Sequence, residues 1–92
     1  MNKCVLITAL GDLNNEALQH FLNKEAHTGS LQGTAHAEGN DRIKIALFGA
    51  KDNIDHFVDN FYDHSAAFEL YDIEVEPFFK NKDFRGVFRI LK

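Results

Sequence analysis

Residues 30–49 read SLQGTAHAEGNDRIKIALFG, two alternating runs around Gly39-Asn40-Asp41. In Ser30–Ala37, Leu31, Gly33, Ala35 and Ala37 fall on one side, and Gln32, Thr34 and His36 on the other. In Arg42–Gly49, Ile43, Ile45 and Leu47 alternate with Lys44, Ala46 and Phe48. A period of two is the spacing of a half-buried strand, and Gly-Asn-Asp between two such runs is turn chemistry, so the stretch predicts a hairpin. A helix is predicted on each side of it. Upstream, Leu18, Phe21, Leu22 and Ala26 lie at helical spacing within about Asn15–His27. Asn14 or Asn15 is placed to cap that helix, Glu16 suits its positive end, and Gly29 is the expected left-handed cap behind it. Downstream, Ile54, Phe57, Val58, Phe61 and Tyr62 form a full apolar stripe, on a helix starting at Asp52 or Asn53 and ending near Ser65. Beyond the helices, Lys3–Leu10 is apolar on both faces, as a central strand is. Glu69–Glu76 alternates so that Tyr71, Ile73 and Val75 point inward. Phe78–Asp83 reads as a charged connection and Arg85–Leu91 as a last short strand.

The order is strand, helix, strand, strand, helix, strand, plus one strand. Two right-handed crossovers joined by a hairpin make an α+β, ferredoxin-like βαββαβ sandwich with an additional short C-terminal strand. One domain over residues 1–92 is expected. Both helices then lie on one face of an antiparallel sheet, and the other face is open. Composition agrees: 45% hydrophobic and 26% charged residues are ordinary for a globular chain. Nine Phe and two Tyr supply core material without metal or disulfide. No apolar run nears the ~18 residues of a membrane helix, and no signal peptide is legible, so the expected home is the cytoplasm. The single cysteine excludes an internal disulfide and Cys-type zinc sites. A net charge of −4 weighs against nucleic acid as a partner.

Several segments then fall into a known order. Thr28–Gly33 (TGSLQG) looks like TGxVxN, and residues 40–49 (NDRIKIALFG) are similar to DGxVEIxxxG. Tyr71–Glu76 resembles AxVxxVxV, and Phe88-Arg89-Ile90 resembles a terminal FxI. With the helix at Ile54–Phe61 between them, these segments resemble the acylphosphatase family over about Thr28–Lys92, more weakly through the first strand and helix. The resemblance implies the sandwich fold and hydrolysis of the carboxyl–phosphate bond of acyl phosphates. It implies a glycine-rich loop, GxVQGVGFR, whose amides cradle the phosphate and whose arginine neutralises it. It also implies an asparagine, orienting the attacking water, at the position of Gly33. This chain departs from that pattern. Its loop, Gly11-Asp12-Leu13-Asn14-Asn15, is shorter by about four residues and has one glycine in place of a phosphate cradle. It has no arginine or lysine, and Asp12 and Glu16 would repel an anion. The expected function is a non-catalytic acylphosphatase-like module that contacts a protein or a small ligand, with no catalytic residue, cofactor or metal. Gly11, Asp12, Leu13, Asn14 and Asn15 are then a degenerate anion loop. The alternative is an acylphosphatase with an atypical site, its cation brought from Arg42, Arg85 or Arg89.

Other constellations have plainer readings. His20 and His27 are seven apart, His56 pairs in spacing with Asp52, and His36 with Glu38, but no HxxxH or Cys–His cluster appears. Surface histidines are expected. Asp55, Asp59 and Asp63, backed by Asp52, form an acidic row on the second helix, a solvated face or a site for a basic partner or divalent cation. Cys4 reads as packing, with no cationic neighbour to activate it. The first strand lacks the aromatic that RNA-recognition sheets stack on bases. The open sheet face carries the most. Lys44, Ala46 and Phe48 face out if Ile43, Ile45 and Leu47 face the helices. The first strand adds either Val5, Ile7 and Ala9 or Cys4, Leu6, Thr8 and Leu10, and Phe78 and Phe79 follow close to the fourth strand. This candidate interaction face is covered either by a homodimer or by the Phe78–Phe84 connection.

Overall fold

The computed structural model describes residues 1–77 and 84–91. In chain order the elements are β1 (Asn2–Leu10), α1 (Glu16–Thr28), β2 (Gln32–Glu38), β3 (Arg42–Ala50), α2 (Lys51–His64), β4 (Tyr71–Pro77) and β5 (Phe88–Leu91). The strands form one sheet in the order β4-β1-β3-β2-β5. β2 and β5 run parallel, and every other neighbouring pair is antiparallel. This is the ferredoxin-like sandwich with one added strand, both helices on one face.

The hairpin register fixes which side is core. Val5, Ile7 and Ala9 of β1 stand opposite Leu47, Ile45 and Ile43 of β3, and all six are buried. Leu18, Leu22 and Ala26 of α1 and Ile54, Phe57 and Phe61 of α2 close over them. Burying one such side chain is worth about 1.5–3 kcal/mol, so this layer is the main source of stability. The helix-free side of β1 is therefore Cys4, Leu6, Thr8 and Leu10, all half-buried. The helices are also tied to each other: Asn60 Nδ2 donates to Glu25 Oε1 at 2.6 Å, and the Phe21 ring packs on His64.

Local chemistry sets the boundaries, in places differently from the sequence expectation. Asn15 caps α1, its Oδ1 accepting the Ala17 and Leu18 N–H groups at 3.0 and 3.4 Å. At the other end the left-handed residue is Ser30 (φ 51°), not Gly29 (φ −87°). Ser30 and Leu31 donate N–H groups back to the His27 and Ala26 carbonyls and so close the last turn. The strand then starts at Gln32. α2 begins one residue before Asp52, with Ala50 as its cap and no side-chain cap bond; Lys51 N–H instead bonds the Met1 carbonyl at 2.8 Å. Tyr71, expected inside, is 61% exposed. The cause is a bulge: Thr8 pairs with Glu74 but Leu10 with Tyr71, and Asp72 takes φ 50°. One extra residue moves Tyr71 to the helix-free side. Leu70, just before it, is buried at 4%. β5 begins at Phe88 rather than Arg85, because Arg85 and Gly86 turn with positive φ. The expected Phe78–Asp83 connection lies outside the described residues.

Candidate functional site

The β1–α1 loop, the β2–β3 hairpin tip and the α2–β4 turn meet at one end of the sheet, around a cleft of about 710 Å³. Gly11, Asp12 and Asn15 line it from the loop, Asn40 and Asp41 from the hairpin, and Phe68, Glu69 and Tyr71 from the turn and β4. Among the described residues three carboxylates thus border it, and no arginine or lysine lines it.

Three of the loop's five amides are taken up by the protein itself. Gly11 N–H donates to the Asp41 carbonyl and Asn15 N–H to the Asp12 carbonyl at 3.2 Å. Asn14 N–H donates to the Asp12 carboxylate at 2.9 Å. The next two amides of the helix, Ala17 and Leu18, are held by the Asn15 side chain. Gln19 Nε2 bonds the Leu13 carbonyl at 2.8 Å, and the Leu13 side chain is buried, which fixes the loop from below. The Asn15 side chain thereby takes the helix amides that an external anion would meet, and the Asp12 carboxylate takes an amide of the loop before them.

Arg42, whose Cα stands opposite Leu10, lines a separate cleft of about 350 Å³ with Asp72 and Glu74. Arg89 lies in β5, and Arg85 in the turn before it, where Gly86 N–H bonds Gln32 Oε1 at 3.3 Å. The position given to a water-orienting asparagine also falls elsewhere. Gly33 pairs with Leu47, and Leu47 with Val5, while the loop follows Leu10. At about 3.4 Å per residue, five residues of strand put Gly33 roughly 17 Å from the loop. The β2 residues level with the loop are Ala37 and Glu38, paired with Ile43 and Arg42. Gly33 has its own structural reason. Its φ is 153°, and a Cβ there would lie 1.8 Å from the Ala46 carbonyl oxygen.

The other sequence candidates separate. Lys44, Ala46 and Phe48 are half-buried on the helix-free side, and Lys44 Nζ pairs with Glu38 at 3.1 Å. Phe78 and Phe79 lie outside the described residues. The acidic row is broken at Asp55, which binds Lys3 Nζ at 2.7 Å and Lys51 Nζ at 2.9 Å. Hydrogen bonds from Lys3 and Lys51 hold the Asp55 carboxyl below its ordinary range, and the same carboxylate raises Lys51. Among the described residues no three His, Cys, Asp or Glu side chains converge as metal ligands, and no helix is long and apolar enough to cross a membrane. Asn40, Asp41, Glu69 and Tyr71 are the cleft residues that sequence reasoning missed. The βαββαβ order was the available signal, since it brings these three connections to the same end.

The architecture has solved counterparts. An acylphosphatase from Bacillus subtilis superposes with a TM-score of 0.81 at 21% identity, covering 100% of both chains. An acylphosphatase from Coxiella burnetii gives 0.80 at 16%, covering 98% of this chain and 93% of its own. The chain has the acylphosphatase fold. HypF from T. kodakarensis matches over 100% of this chain but only 12% of its own, with a TM-score of 0.77 at 18% identity. No family model matches the sequence, and neither does any curated protein. At these identities the likeness establishes the acylphosphatase scaffold and leaves the chemistry to the residues of this chain.

Proposed function

We propose that this chain is an acylphosphatase-fold module that does not hydrolyse acyl phosphates and acts through contact with a protein or a small ligand. The observation that carries the reading is the Asp12 carboxylate, bonded to the loop amide of Asn14. Phosphoryl chemistry needs free, preorganised donors and a fixed cation where charge develops. Here three of the loop's five amides are engaged internally, and among the described residues carboxylates border the cleft without a lining arginine or lysine. An acyl phosphate would meet like charge at close range. The family's arginine has no counterpart in the loop. The family's asparagine has none at Gly33, nor at Ala37 or Glu38 beside the loop.

The test is hydrolysis of benzoyl phosphate by the purified protein, beside the Asp12→Ala variant. The expected result is no turnover above the spontaneous rate for either. Turnover by the unaltered chain overturns the reading. One observation favours that rival: Arg42 is cross-strand from Leu10, immediately before the loop. If turnover is found, Arg42→Ala should abolish it.

A further inference from the structure

The turn from α2 into β4 sets an aromatic side chain where the alternation of the strand would bury it. Leu70 is buried and Tyr71 is 61% exposed, and the residues on either side of the pair, Glu69 and Asp72, take φ of 56° and 50°. Left-handed backbone is uncommon without glycine and gathers at functional sites. The β1–α1 loop lies directly on this turn, since a Cβ at Gly11 would collide with the Leu70 side chain. Tyr71 stands opposite Leu10 and lines the cleft of about 710 Å³ with Phe68, whose ring is backed by Phe21 at 5.3 Å between centroids. Among the described residues the Tyr71, Asp41 and Glu69 side chains have no hydrogen-bond or ion-pair partner. The connection from β4 to β5 starts far from this cleft. Pro77 is level with Val5, Leu47, Gly33 and Phe88 across the sheet. Leu10 is five residues of β1 away, roughly 17 Å. Seven peptide links join Pro77 to Phe84. At ~3.6 Å each they span at most about 25 Å, too little to reach the cleft and return. β5 itself lies three strands from β1 and four from β4.

We propose that this cleft binds a small organic cation, an ammonium or guanidinium group carried on a flat apolar body. The body lies against the Tyr71 and Phe68 rings, and the cation faces the carboxylates of Asp12, Asp41 and Glu69. Aromatic faces attract a cation through the ring quadrupole, and a concave rim of one charge focuses the field that draws it in. Charge complementarity selects this occupant. Among the described residues no arginine or lysine lines the cleft, and Arg42, next to Asp41 in the chain, lines the separate cleft with Asp72 and Glu74. An anion would meet three like charges. A neutral apolar ligand would strip water from the carboxylates and return nothing. The described carboxylates do not converge as the ligands of a metal ion, and the two rings offer it none. The volume is within the roughly 300–1,000 Å³ of small-molecule sites. The proposal rests on the reading above in taking the cleft as a place of contact rather than of phosphoryl chemistry. Its test reads binding of a cation and not turnover, so the two fail separately.

The experiment is an NMR titration of the full chain with benzylammonium at neutral pH. Benzyl alcohol, benzoate and methylammonium are titrated beside it. Ionic strength is held at roughly 0.15 M, where diffuse attraction to surface carboxylates is screened. The expected result is saturable movement of the Gly11, Asn40, Phe68 and Tyr71 amide signals by benzylammonium alone, with a Kd of about 1 mM or below. Tyr71→Ala removes an exposed ring and should weaken binding at least about fivefold, with the signals of the helix–sheet core unmoved. Asp41→Asn combined with Glu69→Gln should weaken it by at least as much. No saturation by benzylammonium overturns the proposal, as does saturation seen only at signals away from the cleft. Equal binding of benzyl alcohol or benzoate removes the role of charge. Equal binding of methylammonium, or indifference to Tyr71→Ala, reduces the cleft to an acidic surface without a ring site, and each of these outcomes overturns the proposal too.

Discussion

Gly33 shows how one residue constrains a strand. Its φ of 153° lies where residues with a Cβ are rarely found, and the Ala46 carbonyl fills the space a side chain needs. Gly33→Ala is therefore expected to cost about 2–4 kcal/mol, read as a lower urea midpoint with an unchanged slope. An unchanged midpoint would show that β2 and β3 can separate locally at no cost. Only part of this scale was legible beforehand. Asn15 could be read as a cap because capping chemistry is local. Gly33 could be mistaken for a vacated catalytic position because its real constraint, the Ala46 carbonyl, comes from the neighbouring strand.

Between elements, the Lys3–Asp55–Lys51 cluster ties the start of β1 to the first turn of α2. The sign of its pH dependence follows from the shifts. Asp55 is lowered from 3.8 when folded, so its stabilisation is fully present above that value and is lost as pH falls through the lower folded one. Lys51 is raised from 10.5, so its share is present below that value and is lost as pH rises through the higher folded one. A carbon-detected NMR titration should find Asp55 titrating below an ordinary aspartate, and Lys3→Ala should move its midpoint upward. No movement would mean that Lys51 alone sets the shift. The helices and strands themselves were readable, because the apolar periods of α2 and β3 are unbroken. The bulge in β4 was not. It is made at Asp72, without a glycine to announce it, and it turned the expected inward Tyr71 outward.

For the whole molecule, the core is one layer between helices and sheet, and Phe57 is among its largest fully buried side chains. Phe57→Ala should cost about 3–5 kcal/mol through lost transfer energy and the cavity left behind. Thermal unfolding followed by circular dichroism checks it, and a loss under ~1 kcal/mol would mean that the helix layer collapses into the gap. The topology was deducible from element order, since right-handed crossovers leave few alternatives. The composition of the cleft was not worked out from that order, although it places the three acidic connections together.

The bulge in β4 has a further consequence for how crowded copies of this protein behave. β4 is an outer strand, and its unpaired backbone edge is a template for the strand of another molecule. The kink at Asp72 interrupts that edge, Pro77 removes a donor from its end, and Asp72, Glu74 and Glu76 add repulsion along it. Of these protections the bend and the missing donor are built into the backbone, and only the repulsion lies in side chains, so replacing the three carboxylates by amides leaves the edge bent but more open to fibril growth through β4.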